Sequence, residues 1–235
     1  MAAIVPITAA LAVLSMVAVV TTVPYALAAI DYRDRDNGLS FLLFVAGVGI
    51  WNAMVVVQLL TPEPEVKLFF LALSVVGANL AGLGWFLFAA TASSTTDRWS
   101  LRSVYGAVGI LAGLDIALAV IAPVHDLYWV AATGGLYEFA SVTPAAGYWF
   151  HTALLAALFL AGGWLFYGAW SAGTNPAYTR AYVVAAAATG VAVVAGGILT
   201  PGGHGAAPIV AVALTTVGWD QATRGRGLSQ FRAWL

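Results

Sequence analysis

The sequence predicts an all-α membrane protein, a bundle of seven transmembrane helices. Hydrophobic residues make up 62% of its 235 residues and charged residues only 8%, too few to cover a water-soluble domain with charge. The apolar residues form long runs that lack the alternation over about ten residues typical of a membrane β-strand. The lipid bilayer is therefore the expected surrounding of this chain.

Seven apolar runs are candidates for the spans, because a helix needs about 20 residues to cross the hydrocarbon layer. The first run has no basic residue before it and is longer than the core of a signal peptide, so it is kept as a transmembrane helix. The seventh run is short, and its support comes from the arginines discussed below. The predicted spans are residues 3–29, 39–60, 68–92, 104–124, 148–170, 182–199 and 206–219.

The arginines predict the orientation. With the N-terminus outside, all eight arginines lie on the cytoplasmic side and only Lys67 lies outside, in agreement with the positive-inside rule. Six spans would leave the arginines of the C-terminal tail outside, so the rule favours the seventh span. The cytoplasmic arginines would be Arg33, Arg35, Arg98, Arg102, Arg180, Arg224, Arg226 and Arg232.

The predicted organisation is one transmembrane domain, residues 1–222, followed by a short cytoplasmic juxtamembrane tail, residues 223–235. Apolar residues recur at helical intervals in this tail, which favours packing at the inner membrane interface or continuation into a partner helix. The multi-pass chain is assigned to the plasma membrane, and self-association is compatible with its composition.

Small residues indicate where helices approach each other closely. Gly109 and Gly113 are four residues apart in the fourth span, and further glycines occur in the third and sixth spans. Ordinary packing within the bundle is the favoured interpretation over a dedicated dimerisation motif. The other glycines are Gly77, Gly82, Gly84, Gly190, Gly196 and Gly197.

Three polar residues lie about halfway along their spans: Asn52, Asn79 and Asp115. An ionisable group at that depth is costly unless it is paired or neutral, so we expect Asp115 to face the bundle interior. The residues could form a proton- or ion-responsive site or a polar clasp whose repacking transmits a signal. They could also simply form interhelical hydrogen bonds that fix helix register.

A second candidate site is the polar and aromatic segment 121–151 between two apolar spans, on the predicted outer face. Its two histidines, together with His204 in the loop between the sixth and seventh spans, could ligate a metal, act as a pH switch or hydrogen-bond at the interface. Its aromatic residues could form a ligand-binding lid or an ordinary interfacial belt. The residues proposed to meet the stimulus are His125, Asp126, Trp129, Glu138, Trp149 and His151.

Several classes of function find no support. The chain has no cysteine, its net charge of −1 argues against nucleic acid, and motifs of hydrolases, metalloproteases and nucleotide-binding enzymes are missing. We therefore expect no enzymatic activity, no metal and no cofactor. A retinal pigment needs a lysine midway along the last helix, whereas Lys67 lies at the outer end of the third span and is interpreted as a snorkelling interfacial charge.

Local motifs over residues 39–219 resemble the N-terminal seven-transmembrane sensor region of membrane histidine kinases. The family usually has an Asn-Pro-Leu-His-x-Leu-Phe/Tyr-Trp sequence at the end of helix four. The stretch "APVHDLYW" fits it at Pro123, His125, Leu127, Tyr128 and Trp129, with Ala122 where Asn is usual. The third span opens near "EVKLFF" and closes with "WFLFAATAS". The fifth opens with a glycine and aromatic residues, "GYWFH".

This resemblance implies a sensor in signal transduction that passes an extracellular or intramembrane stimulus to a cytoplasmic transmitter, such as a kinase. Only sixteen residues follow Trp219, too few for a kinase core, so a separate partner or a longer parent chain is expected. The alternatives are a small transporter or channel with a path along Asn52, Asn79 and Asp115, and an assembly subunit of a membrane complex.

Overall fold

Six long helices dominate the computed structural model, which describes residues 4–34, 37–93, 98–133, 136, 138–173, 176–201, 210–213 and 215–217. All six are long and apolar enough to cross a membrane, so the first six predicted spans are confirmed as helices. They are α1 (Ile4–Tyr32), α2 (Gly38–Leu60), α3 (Pro64–Ala92), α4 (Arg98–Val120), α5 (Ala146–Ser171) and α6 (Pro176–Leu199).

The helix ends differ from the predicted spans in a regular way. Helices α3, α4 and α6 begin at residues 64, 98 and 176, before the predicted 68, 104 and 182, because hydropathy marks the apolar part of a helix and not its polar first turns. Helix α4 ends at Val120 instead of residue 124. A separate 3-10 turn, Ala122–Val124, follows it, since Pro123 cannot donate the backbone hydrogen bond that would continue the α-helix.

The all-α fold class is confirmed, and the two described strands lie in the loop between α4 and α5, residues 121–145, which we call the α4–α5 loop. It contains an antiparallel pair of strands, β1 (Trp129–Thr133) and β2 (Ser141–Pro144), with a bulge between Val130 and Ala132. Each strand is only four or five residues long, and its aromatic and β-branched residues are also typical of a membrane interface. The sequence pattern therefore did not separate a hairpin from an interfacial loop.

Helices α2 and α3 pack antiparallel at backbone contact distance. A Cβ atom at Gly77 would lie 2.4 Å from the backbone nitrogen of Trp51, and one at Gly84 would lie 2.3 Å from that of Phe44. Only glycine fits at such a crossing. The predicted close approach of helices at Gly77 and Gly84 is confirmed.

The prediction that Gly109 and Gly113 pack within the bundle is wrong. A Cβ atom at either residue would meet nothing within 4 Å in the described part of the chain. The inward stripe of α4 runs instead through Ala112, Asp115 and Ala119, all buried. Helix α4 is rotated about its axis so that Asp115 faces the neighbouring helices. The two glycines therefore lie on a different face of α4.

An aromatic core around Trp85 joins four helices. Its ring contacts Phe44 of α2, Phe159 and Phe166 of α5, and Tyr182 of α6, with ring centroids 5.5 to 6.3 Å apart. Its indole Nε1 donates to the carbonyl oxygen of Phe159 at 3.1 Å. Helix α3 therefore occupies the centre of the bundle, with α2, α4 and α5 against it.

The predicted seventh span, residues 206–219, lies largely outside the described residues. The described part, 210–213 and 215–217, is helical. Val210 and Val217 are fully buried, and the hydroxyl of Thr215 donates to the carbonyl oxygen of Ala211 at 3.0 Å. The tail 223–235 and His204 lie outside the described residues.

Candidate functional site

A buried polar cluster lies where α3, α4, α5 and the α4–α5 loop meet. Asp115 of α4 is fully buried and forms three hydrogen bonds. Its Oδ2 lies 2.7 Å from the Nδ1 of His151 and accepts a bond from the Nδ2 of Asn79, also at 2.7 Å. Its Oδ1 accepts a bond from the hydroxyl of Tyr128 at 3.2 Å. We call these four residues the Asp115 cluster.

Helical spacing explains why α4 and α5 supply these groups. On α4, Ala112 and Ala119 flank Asp115 by one turn on the same buried stripe, and their small side chains let α3 approach. On α5, His151 lies one turn after Tyr148 and one turn before Leu155, which are both buried. The carboxylate of Asp115 therefore points inward, as expected of an intramembrane acid.

Asn79 fixes the α3 side of the cluster. Its Nδ2 also donates to the carbonyl oxygen of Val75 at 3.1 Å and lies 3.4 Å from the Nδ1 of His151. Its Oδ1 is buried and has no hydrogen-bond partner among the described residues. One amide thus bonds the carboxylate from α4 and lies beside the imidazole from α5.

Tyr128 enters the cluster from the loop because backbone bonds tie the loop to the start of α5. Leu127 accepts from the N–H of Gly147 at 2.7 Å, and Tyr128 accepts from the N–H of Ala145 at 3.1 Å. A Cβ atom at Gly147 would lie 2.8 Å from the Tyr128 ring, so glycine is required for the ring to pass the first turn of α5. Trp129 is buried against this ring, edge to face, with centroids 4.7 Å apart.

Burial determines the protonation of Tyr128. Desolvation, and next the charge of Asp115, raise the pKa of its hydroxyl well above the ordinary value. The hydroxyl is therefore protonated at neutral pH and available as a donor. The imidazole of His151, the amide of Asn79 and the phenol of Tyr128 give the buried carboxyl group of Asp115 the partners that a buried polar group needs.

The interpretation of Lys67 as a snorkelling charge is wrong. Lys67 is fully buried near the start of α3, and its Nζ donates to the backbone oxygens of Gln58 at 2.8 Å and Glu138 at 2.6 Å. The Gln58 oxygen belongs to the last turn of α2, where carbonyl groups lack partners within the helix and attract a cation. Lys67 therefore caps α2 and also ties the α4–α5 loop to α2 and α3.

The residues proposed as one stimulus site are divided in the structure. His151 and Trp129 are buried at or beside the Asp115 cluster, whereas Asp126 and Trp149 are exposed. The Nδ1 of His125 accepts from the N–H of Leu127 at 3.2 Å, a bond within its own turn. Glu138 meets Lys67 through its backbone.

The intramembrane residues are divided as well. Asn79 and Asp115 join His151, although the sequence placed His151 in a separate group at the rim. Asn52 is fully buried on α2, and its Nδ2 donates to the carbonyl oxygen of Val48, one turn earlier in its own helix, at 3.0 Å.

Tyr128 is the cluster residue that sequence reasoning missed, since it counted only as one of several interfacial aromatic residues. The sequence signal that could have identified it is the pair of a tyrosine in "HDLYW" and a glycine in "AAGYWF", because a bulky ring beside an obligatory glycine indicates close packing. Among the described residues, no three histidine or acidic side chains are placed to hold a metal ion.

The family described as the N-terminal 7TM region of histidine kinase matches residues 8–219, nearly the whole chain. Among curated proteins, none matches the sequence.

Proposed function

Because this chain belongs to the family of N-terminal seven-transmembrane regions of histidine kinases, we propose that it is a plasma-membrane sensor without enzymatic activity of its own. It passes a stimulus to a cytoplasmic transmitter, a histidine kinase that is either a separate partner or fused to it. Six apolar helices and the family match support a multi-pass membrane module in signalling.

The proposed topology has seven spans, with the N-terminus outside and the C-terminus in the cytoplasm. Helices α2 and α3 are antiparallel through Gly77 and Gly84, and α5 and α6 are antiparallel through contacts of Gly190 with Leu160 and of Gly197 with Thr152. The arginines at the end of α1 and at the starts of α4 and α6 thus share one end of the bundle, which the positive-inside rule assigns to the cytoplasm. The α4–α5 loop then faces outward.

The Asp115 cluster is the proposed coupling element. A stimulus that displaces the loop moves Tyr128, and Tyr128 is bonded to Asp115, which is bonded to His151 of α5. Helix α5 is in turn bonded to α6, because the hydroxyl of Tyr148 donates to the carbonyl oxygen of Gly197 at 3.1 Å. The loop and the helices that lead to the C-terminus therefore share one hydrogen-bonded chain, which can adopt two packings of similar free energy.

The single observation that carries the proposal is the bond from a loop tyrosine to a fully buried carboxylate shared by three helices. In cells that express this protein, we expect deletion of its gene to change the phosphorylation of at least one response regulator. We also expect Tyr128→Phe to change that phosphorylation by about fivefold or more, since coupling free energies of 1–3 kcal/mol are typical. The readout is phosphate-affinity electrophoresis of the regulators.

The matched control is Ser141→Ala, which removes an exposed hydroxyl from the same loop and should leave phosphorylation as in the wild type. Unchanged phosphorylation of every regulator after deletion would overturn the sensor function. Solute flux into proteoliposomes that contain the purified chain would favour the transporter alternative instead.

A further inference from the structure

Exposed aromatic residues on α5 mark how deep the bundle lies in the bilayer. Trp149 and Phe150 are exposed near the start of α5, and Trp164, Tyr167 and Trp170 are exposed near its end. Tryptophan and tyrosine are enriched where a membrane meets water. Trp149 and Trp170 are separated by about 31 Å along the helix axis, close to the hydrocarbon thickness of about 30 Å. The start of α5 therefore lies at one membrane interface.

The first part of the α4–α5 loop, residues 121–127, lies at the same interface. Helix α4 ends at Val120, and the carbonyl oxygen of Leu127 accepts from the N–H of Gly147 at 2.7 Å. Gly147 precedes Trp149 by two residues, about 3 Å along the helix axis. The backbone of Leu127 is therefore held at the depth of the aromatic residues that begin α5. We call residues 121–127 the interfacial segment.

The hairpin of β1 and β2 extends away from this interface. The Nδ2 of Asn79 lies 3.4 Å from the Nδ1 of His151, near the start of α5, and Lys67 precedes Asn79 on α3 by about 18 Å along the helix axis. The Nζ of Lys67 donates to the carbonyl oxygen of Glu138 at 2.6 Å, so the connection between the two strands follows α3 outward. The α4–α5 loop thus has one part at the membrane interface and another part beyond it.

The interfacial segment presents aliphatic side chains away from the bundle. Ile121, Val124 and Leu127 are exposed, and the exposed fraction reaches 83% at Val124. They recur at every third position, and the segment includes a 3-10 turn, in which residues at this spacing lie on the same side. Ala122 and Tyr128, in contrast, are buried against the helices. Exposed aliphatic groups at this depth are unfavourable in water and favourable in contact with acyl chains.

The flanking helices continue this apolar surface. Val120 at the end of α4 and Leu114 further along the same helix are exposed, as is Trp149 on α5. Such side chains on a helix that spans the bilayer contact lipid. Asp126, the acidic residue of the interfacial segment, is also exposed and requires the headgroup layer, so the segment cannot lie deeper. The boundary between headgroups and acyl chains satisfies both requirements.

We propose that Ile121, Val124 and Leu127 form a lipid-binding surface, which inserts between the headgroups and the first acyl-chain carbons of the adjacent leaflet and anchors the interfacial segment there. The partner is the phospholipid itself, and in the proposed topology it belongs to the outer leaflet. This surface lies outside the Asp115 cluster, and it binds lipid whether or not the chain signals.

The cysteine-free chain allows a direct measurement of depth. Val124→Cys and Leu127→Cys each carry a nitroxide spin label in nanodiscs of phosphatidylcholine. Ser141→Cys, at an exposed position of β2, is the matched water reference, and Leu114→Cys, at an exposed position of α4, is the lipid reference. Saturation of the electron paramagnetic resonance signal measures collisions of each label with oxygen, which concentrates in lipid, and with a nickel chelate, which stays in water.

We expect the labels at Val124 and Leu127 to lie about 5 Å or more below the lipid phosphates, and the label at Ser141 to lie above them. Val124→Asp should shift the label at Leu127 toward water, because a carboxylate does not enter the acyl-chain layer. Ser141→Asp, the matched control, should leave the depth of that label unchanged.

Water-like collision rates at all three loop positions overturn the lipid-binding surface, as does an unchanged depth of the Leu127 label in folded Val124→Asp. Low rates with both oxygen and the nickel chelate would show that protein, such as a second copy of the chain, covers the segment, and would also overturn it. The nanodiscs contain no kinase, so none of these results depends on the sensor function. The phosphorylation of the response regulators tests that function separately.

Discussion

Asp115 shows at the residue scale how a costly side chain becomes tolerable in a membrane. Its carboxylate is fully buried and forms bonds with three groups that lie on two helices and a loop. The sequence indicated that such a group must be paired and that Asn79 is another buried polar residue. The partners themselves are 13 and 36 residues away along the chain, so no local pattern predicts them.

Tyr128 leads to a prediction about pH and stability. The pKa of the Tyr128 hydroxyl is higher in the folded protein than in the unfolded chain. The stability that the hydroxyl contributes is therefore fully present below about pH 10 and is lost as the pH rises toward the pKa of the folded state. At about pH 11, the wild type should therefore lose roughly 1 kcal/mol more of its free energy of unfolding than Tyr128→Phe does. Unfolding by dodecyl sulfate in mixed micelles at several pH values measures this difference.

Tyr167→Phe is the control, because Tyr167 is 44% exposed on α5. Its loss of stability between neutral and alkaline pH should follow that of the wild type. Identical pH profiles for Tyr128→Phe and the wild type would contradict the assignment of a buried, protonated hydroxyl at position 128.

At the scale of elements, glycines with the same sequence environment have opposite roles. Gly77 lies at a backbone crossing of α2 and α3, whereas a Cβ atom added at Gly109 of α4 would meet no other described residue within 4 Å. Both occur in apolar helices near other small residues, so the sequence predicted close packing for both. The rotation of each helix about its axis decides the outcome, and on α4 that rotation follows from Asp115.

The matched variants Gly77→Ala and Gly109→Ala test this difference. Gly77→Ala should lower the free energy of unfolding by about 1–3 kcal/mol, because α2 and α3 must separate to admit the methyl group. Gly109→Ala should leave stability unchanged or raise it by up to about 1 kcal/mol through helix propensity. Equal losses in the two variants, measured by unfolding in mixed micelles, would contradict the packing of α2 on α3.

At the scale of the whole molecule, polar contacts at one end of the bundle tie the α4–α5 loop to the helices. The α4–α5 loop is tied to α2 and α3 by Lys67 and to α4 by Tyr128. The aromatic core around Trp85 then joins α2, α3, α5 and α6 further along the helices. A displacement of the loop therefore acts on a packed unit and not on one helix alone.

The predicted topology can be tested on the same cysteine-free chain. A cysteine at Ala2 should react with a membrane-impermeant maleimide on intact cells, and one at Ser229 should react only after permeabilisation, because an odd number of spans places the two ends on opposite faces. The unsubstituted chain should remain unlabelled. Reaction of both cysteines on the same face would exclude the seven-span topology.

The sequence by itself determined that the chain crosses the bilayer as helices, where six of them lie, and which polar residues lie within them. These are properties of composition and run length, and lipid imposes them on each segment separately. Only the tertiary structure decided that Asp115, Asn79 and His151 form one cluster with Tyr128, that Lys67 caps α2, and that a hairpin covers the cluster. Those features depend on the rotation of each helix and on its neighbours, which hydropathy, averaged along a segment, does not record.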